Sequence, residues 1–133
     1  MSEPTRLVRD DEFEEMGAAY QCLQIEILDA ALQEQGIADQ TVRRNVCESF
    51  LRSLGILHDQ GWLKPDPDAE PVYPLLCFSR RFLNMDTPIE ELGEVFAPSE
   101  SFSFAEYASG NVYHVFEEDP DDKVETGVVE EEE

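Results

Sequence analysis

Lysine is nearly missing from this chain. Lys64 and Lys123 are the only two, beside seven arginines, in 133 residues that hold 31 Asp and Glu. Long apolar runs are missing too. The longest uninterrupted one is Leu75-Leu76-Cys77-Phe78, far short of the roughly eighteen residues a membrane span requires, so no membrane association is expected. Ser2 to Glu15 is dominated by charge and has no apolar stretch of the kind a secretory signal carries. The three cysteines, Cys22, Cys47 and Cys77, contain no Cys-x-x-Cys pair and leave one over from any disulfide scheme. Free buried thiols in a cytoplasmic, reducing setting are the simpler expectation.

The signatures of chemistry are equally scarce. Two histidines and no clustered cysteines exclude an ordinary zinc ligand set. No glycine cluster supports a phosphate loop and no Gly-x-Ser-x-Gly elbow occurs. Asp66-Pro67-Asp68-Ala69-Glu70 and Glu117 to Asp122 suggest calcium only superficially, because both lack the mid-loop glycine and closing glutamate of an EF-hand. The sequence therefore assigns no catalytic, cofactor-binding or metal-binding residue.

What is present is negative charge. The formal net charge is −22, and from Glu117 to Glu133 ten acids face one base, which leaves 21 acids and 8 bases before that point. The body is acidic as well as the tail. Such a field repels nucleic acid and anionic membranes and attracts basic protein surfaces. Acid-rich, lysine-poor surfaces also suit salty surroundings, and net charge alone favours solubility.

Apolar residues make up 41% of the chain, enough for a core, and the length suits one domain. Asp10 and Asp11 read as an N-cap, with Glu12, Glu14 and Glu15 where a helix dipole favours negative charge. Phe13, Met16, Tyr20, Leu23, Ile27, Ala30 and Ala31 then recur at helical spacing up to a stop at Gly36. Ala18, Cys22, Ile25 and Leu32 lie on other sides, which predicts a central helix. A second helix is expected from Asp39 or Thr41 to Gln60, with Val42, Val46, Phe50, Leu54 and Leu57 on its apolar face and Cys47 and Leu51 at the edge. Arg44, Glu48 and Arg52 form an i, i+4 series on the other side, read as a solvated ladder. The short connection predicts an antiparallel hairpin.

Trp62 to Pro74 holds four prolines and reads as an extended surface connection. Leu75 to Leu83 is expected to be a short helix, with a strand as the alternative. Thr87-Pro88-Ile89-Glu90 reads as the start of a helix reaching Val95 or Phe96. Ser103-Phe104-Ala105-Glu106 repeats the capping pattern and opens a turn or two of helix to Gly110, and Val112 to Phe116 is β-prone. The resulting expectation is a mainly α protein. It has a flexible N-terminus over 1–9 and a helical domain over 10–116, in which a hairpin packs with two or three shorter helices, with room for one or two short C-terminal strands. Residues 117–133 are expected to be a disordered acidic tail.

The individual candidates for chemistry each have a plain structural reading. His58 and Asp59 are neighbours on a helix, about 100° apart, and do not form a dyad unaided. His58 is expected as a packed residue at a helix end, and His114 lies in the β-prone segment. Of the thiols, Cys77 has Arg80 and Arg81 one turn on if that segment is helical. Arg80 and Arg81 themselves are expected to neutralise nearby acids. Glu26, Glu48 and Asp59 would be the members of any carboxylate-based enzyme. The leading expectation is a non-enzymatic binding or regulatory protein acting on a partner with a basic surface, without direct nucleic-acid binding. The alternative is a structural or assembly protein that dimerises through its long helices.

Overall fold

A computed structural model describes residues 3–118 and 121–130. The protein is a small, mainly helical domain with three helices and a three-stranded mixed sheet. In chain order the elements are β1 (Glu3–Val8), α1 (Glu12–Glu34), α2 (Gln40–Gln60), β2 (Phe78–Ser79), β3 (Leu92–Phe96) and α3 (Phe104–Tyr113). A single 3-10 turn, Ile89–Glu91, leads into β3, and a π-helical turn, His114–Glu118, extends α3.

The helices begin where their capping residues require. Asp10 Oδ1 accepts from the Glu12 N–H at 3.0 Å, and Asp39 Oδ1 accepts from Thr41 and Val42 at 2.9 and 3.4 Å. Ser103 Oγ accepts from Glu106 N–H at 3.2 Å. These side chains satisfy amide groups that a first helical turn leaves open. Gly36, at φ +86°, follows the last turn of α1 in the left-handed region where glycine is favoured.

Two core clusters meet around α3. Cys22 and Ile25 of α1, Cys47 and Leu51 of α2, and Ala108, Val112, Val115 and Phe116 form the helical one. Phe13, Phe96, Phe102 and Phe104 form an aromatic one that joins the helices to the sheet, with ring centroids 4.7–6.2 Å apart among Phe13, Phe102 and Phe104. The most extensive helix–helix contact is between α2 and α3.

The buried faces of both long helices differ from the ones their apolar spacing predicts. In α1 the buried row is Phe13, Gly17, Gln21 and Ile25, with Cys22 beside it, while Ile27 is 61% exposed and Ala30 and Ala31 face outward. In α2 it is Cys47, Leu51 and Gly55; of the expected face, Val42, Val46 and Phe50 are open, while Leu54 packs against the helical core and Leu57 is half-buried. Each row advances by four residues, as ridge packing requires, and each contains glycine at the point of closest approach. A Cβ on Gly55 would lie 2.6 Å from the Ala105 nitrogen, and one on Gly17 would lie 2.8 Å from the Phe102 ring. Gln21, fully buried, donates to the Phe104 carbonyl at 2.7 Å and accepts from Asn111 Nδ2 at 2.7 Å. Glycine and glutamine count against burial on a hydropathy scale, yet here they admit α3 and fasten it.

Four other expectations are corrected. Residues 3–8, placed in a flexible N-terminus, form β1, which runs parallel to β3 with Arg6 opposite Glu94 and Val8 opposite Phe96. Residues 92–96, read as helix, form the central strand β3. It is flanked by β1 and by the antiparallel β2, and that position buries Leu92, Val95 and Phe96. The capping signal ahead of it yields only the 3-10 turn. Leu75 to Leu83 is not the expected short helix; it contributes the short β2, in line with the strand alternative. Val112 to Phe116, read as β-prone, completes α3 and the π turn, because Val112, Val115 and Phe116 fall at i, i+3 and i+4 and pack into the helical core. Packing overrides the β preference of branched residues here.

Glu117 and Val124, both placed in the expected acidic tail, make contacts with the helical body. Glu117 is ion-paired with Arg44, Val124 packs against the helical core, and the Val124 N–H donates to Glu26 Oε2 at 3.3 Å. The expectations for 1–2, 119–120 and 131–133 lie outside the described residues.

Candidate interaction surface

The sequence's candidates for chemistry are dispersed and structurally engaged. Asp59, in the last turn of α2, accepts from Ser103 Oγ at 2.7 Å and from the Phe104 and Ala105 N–H groups at 2.9 and 2.8 Å. Its carboxylate therefore caps α3 from a different helix, where the helix dipole also favours negative charge. His58 packs its ring against Phe104 at 5.1 Å with an interplanar angle of 67°. Burial pushes the His58 imidazole below its ordinary pKa, with the Asp59 charge opposing. Glu48 accepts from Ser109 Oγ at 2.9 Å, and Glu26 holds Val124. No two of these carboxylates share a site through the contacts they make.

Cys22 and Cys47 are buried, and burial pushes both thiols up to about 11, which holds them protonated and unreactive near neutral pH. Burial also raises the half-buried Cys77. Its cationic neighbours in sequence are otherwise occupied. Arg80 pairs with Glu12 at 2.9 Å and lies over the Phe96 ring at 4.7 Å, while Arg81 donates to the Glu91 carbonyl at 3.0 Å. Among the described residues no group of three or more His, Cys, Asp or Glu is placed to hold a metal ion. No helix among them is long and apolar enough to cross a membrane.

The arginines reveal how the surface is organised. Arg6 pairs with Glu94 at 2.8 Å, Arg9 donates to the Pro98 carbonyl at 2.7 Å, and Arg44 pairs with Glu117. Arg43 pairs with Asp29 at 2.6 Å and donates to the Ile37 and Ala38 carbonyls, holding the α1–α2 connection. With Arg80 and Arg81, six of the seven arginines are thus engaged within the chain. The expected Arg44–Glu48–Arg52 ladder does not form, because Arg44 and Glu48 turn toward the end of α3. Few cations remain to offset the carboxylates outside.

Between α2 and β2 the chain makes a proline-braced arm. Leu63 and Val72 exchange both backbone hydrogen bonds, at 3.0 and 2.7 Å. Asp66 closes the tip by accepting from Asp68 N–H at 2.9 Å through its side chain and from Ala69 N–H at 3.0 Å through its carbonyl. In an extended pair the next residues out point to the opposite face, so Trp62 and Tyr73 share one face while Leu63 and Val72 share the other. Trp62 is 55% exposed and Tyr73 68% exposed. Asp68 and Glu70 at the tip are exposed. At the base of the arm, a cleft of about 660 Å³ opens between the end of α2 and the start of α3, lined by His58, Leu75, Pro98 and Glu100 among others.

The prolines marked this connection as extended surface in the sequence. The pairing of Trp62 with Tyr73 had no local signal, since it depends on the Leu63–Val72 bridge. Comparison with known proteins returns no matching family model, no curated protein and no solved structure.

Proposed function

We propose that the protein is a non-enzymatic, cytoplasmic binding or regulatory protein that occupies a basic surface on a protein partner. The observation that carries this reading is the arm: Trp62 and Tyr73 are exposed at its base and Asp66, Asp68 and Glu70 at its tip, on a chain in which six of seven arginines are engaged by its own acids and carbonyls. Tryptophan and tyrosine are the residues most often central to binding energy at protein interfaces. Two backbone hydrogen bonds and four prolines reduce the ordering cost of docking this arm. Acids around it steer a cationic partner and repel nucleic acid. The same reading takes α1 and α2 as an antiparallel hairpin that gives the arm a stiff base, and the acids after Val124 as an extension that strengthens the field.

The test is affinity capture with the full chain as bait across a salt series, run beside a Trp62→Ala/Tyr73→Ala bait. A basic protein should be retained at low salt, released steeply as salt rises, and lost with the double variant. Retention that ignores salt, or equal retention by the variant, sinks the reading.

A further inference from the structure

A second surface, on α2, has a different character. Val42, Val46, Phe50 and Ile56 are 43%, 37%, 51% and 51% exposed, and Asn45, Ser49 and Ser53 beside them are exposed too. At 100° per residue these seven positions fall within about 140° of the helix circumference, opposite the row of Cys47, Leu51 and Gly55 that packs on α3. Not one of the seven is charged, in a chain that is 30% Asp, Glu, Lys and Arg. The helix as a whole carries three arginines against two acids, while the protein carries −22.

We propose that this face of α2 is a self-association surface that pairs the helix with α2 of a second copy of the chain across a two-fold axis near Phe50. Two observations favour a second copy over another partner. The first is electrostatic. Two copies of so anionic a chain repel each other almost everywhere, and this strip lets them meet without setting carboxylate against carboxylate. A basic partner finds no ion pair on the strip itself and is drawn to the carboxylates elsewhere. The second is shape. Val42, Val46 and Phe50 form an i, i+4 ridge, and the adjacent Asn45, Ser49 and Ser53 form a row of smaller side chains along a groove of about 350 Å³. A ridge beside its own groove is self-complementary: in i±4 packing each ridge enters the other helix's groove, and a two-fold axis makes both contacts at once.

Arg52 is the one arginine among the described residues that makes no ion pair, hydrogen bond or ring contact, and it lies on the edge of the strip. This surface is separate from the arm and does not depend on the basic-partner reading.

Sedimentation equilibrium of the full chain from micromolar to millimolar concentration tests it, with far-UV circular dichroism to check that each variant is folded. The wild-type chain should be a reversible dimer that tightens as salt screens the repulsion between copies. That is the opposite sign to the release expected for a basic partner. Phe50→Glu should weaken the dimer by at least about a hundredfold, as expected for a charge placed at the centre of a two-fold contact. Ile27→Glu, on exposed α1 surface, should leave it unchanged. A wild-type monomer at millimolar concentration overturns the proposal. So does a dimer that survives Phe50→Glu, or one that Ile27→Glu disrupts instead.

Discussion

The joint between α2 and α3 and the arm over 62–73 sit next to each other and are built on opposite terms. At the joint, backbones approach so closely that a glycine is required, and Asp59 of α2 accepts from Ser103 Oγ and the first amides of α3, while Gln21 of α1 fastens the same helix through Phe104 and Asn111. Among the described residues no buried side-chain nitrogen or oxygen lacks a partner. On the arm, by contrast, the largest side chains face water and only two backbone hydrogen bonds pin the strands together. The joint is where the fold is specified. On the arm, apolar area is left uncovered, which is the usual mark of a surface that meets something else.

That contrast can be broken most severely at Gly55. Gly55→Val should cost about 3 kcal/mol or prevent folding, because the new side chain overlaps the backbone of Phe104 and Ala105 and nothing flexible can yield; urea denaturation measures it. Gln21→Ala comes next, at about 2 kcal/mol, since it removes the buried hydrogen bond to the Phe104 carbonyl and the part-buried one from Asn111 and leaves a cavity between α1 and α3. Asp59→Ala should cost about 1–2 kcal/mol through loss of the cap on α3, visible as a lower urea midpoint and lost helicity. If the arm is a binding element, Trp62→Ala and Tyr73→Ala should change stability by less than about 0.5 kcal/mol while removing partner retention. A large stability loss there would make the arm structural and erase the contrast.

The smallest effect is a pH dependence at His58. Its folded pKa lies below the ordinary histidine value because burial disfavours the charged ring, with the Asp59 charge opposing. The neutral form is thus the one the fold favours, and its contribution is present above the unfolded pKa and lost as pH falls from there through the lower folded pKa. His58→Gln should flatten the fall in stability on mild acidification, read as urea midpoints across that range.

Local signals were legible wherever a local interaction decides the outcome. Asp39 and Ser103 cap the helices they were expected to open, and Gly36 follows α1 in the left-handed region. The strands were illegible because their partners are far away in sequence: β1 and β3 read as a charged leader and a helix until they are set side by side. The buried rows of α1 and α2 were misplaced because glycine and glutamine hold positions that an apolar count passes over. The apolar spacing of Val42, Val46 and Phe50 was correctly seen, but it marks a face that this single chain leaves open. Of the arm, the prolines disclosed its extended backbone. Which residues it presents together was hidden in a bridge between positions 63 and 72.

The parallel pairing of β1 with β3 has a consequence for how the chain is made. Leu92 follows Val8 by 84 positions, so at a synthesis rate of about 5–20 residues per second the first strand waits roughly 4–17 s for its neighbour to be translated. Pro4, Glu3 and Arg6 sit in that strand, and proline and charge are what discourage a lone edge from joining strands of other nascent chains. The composition of its first few residues thus protects the growing polypeptide during the interval before its sheet can close.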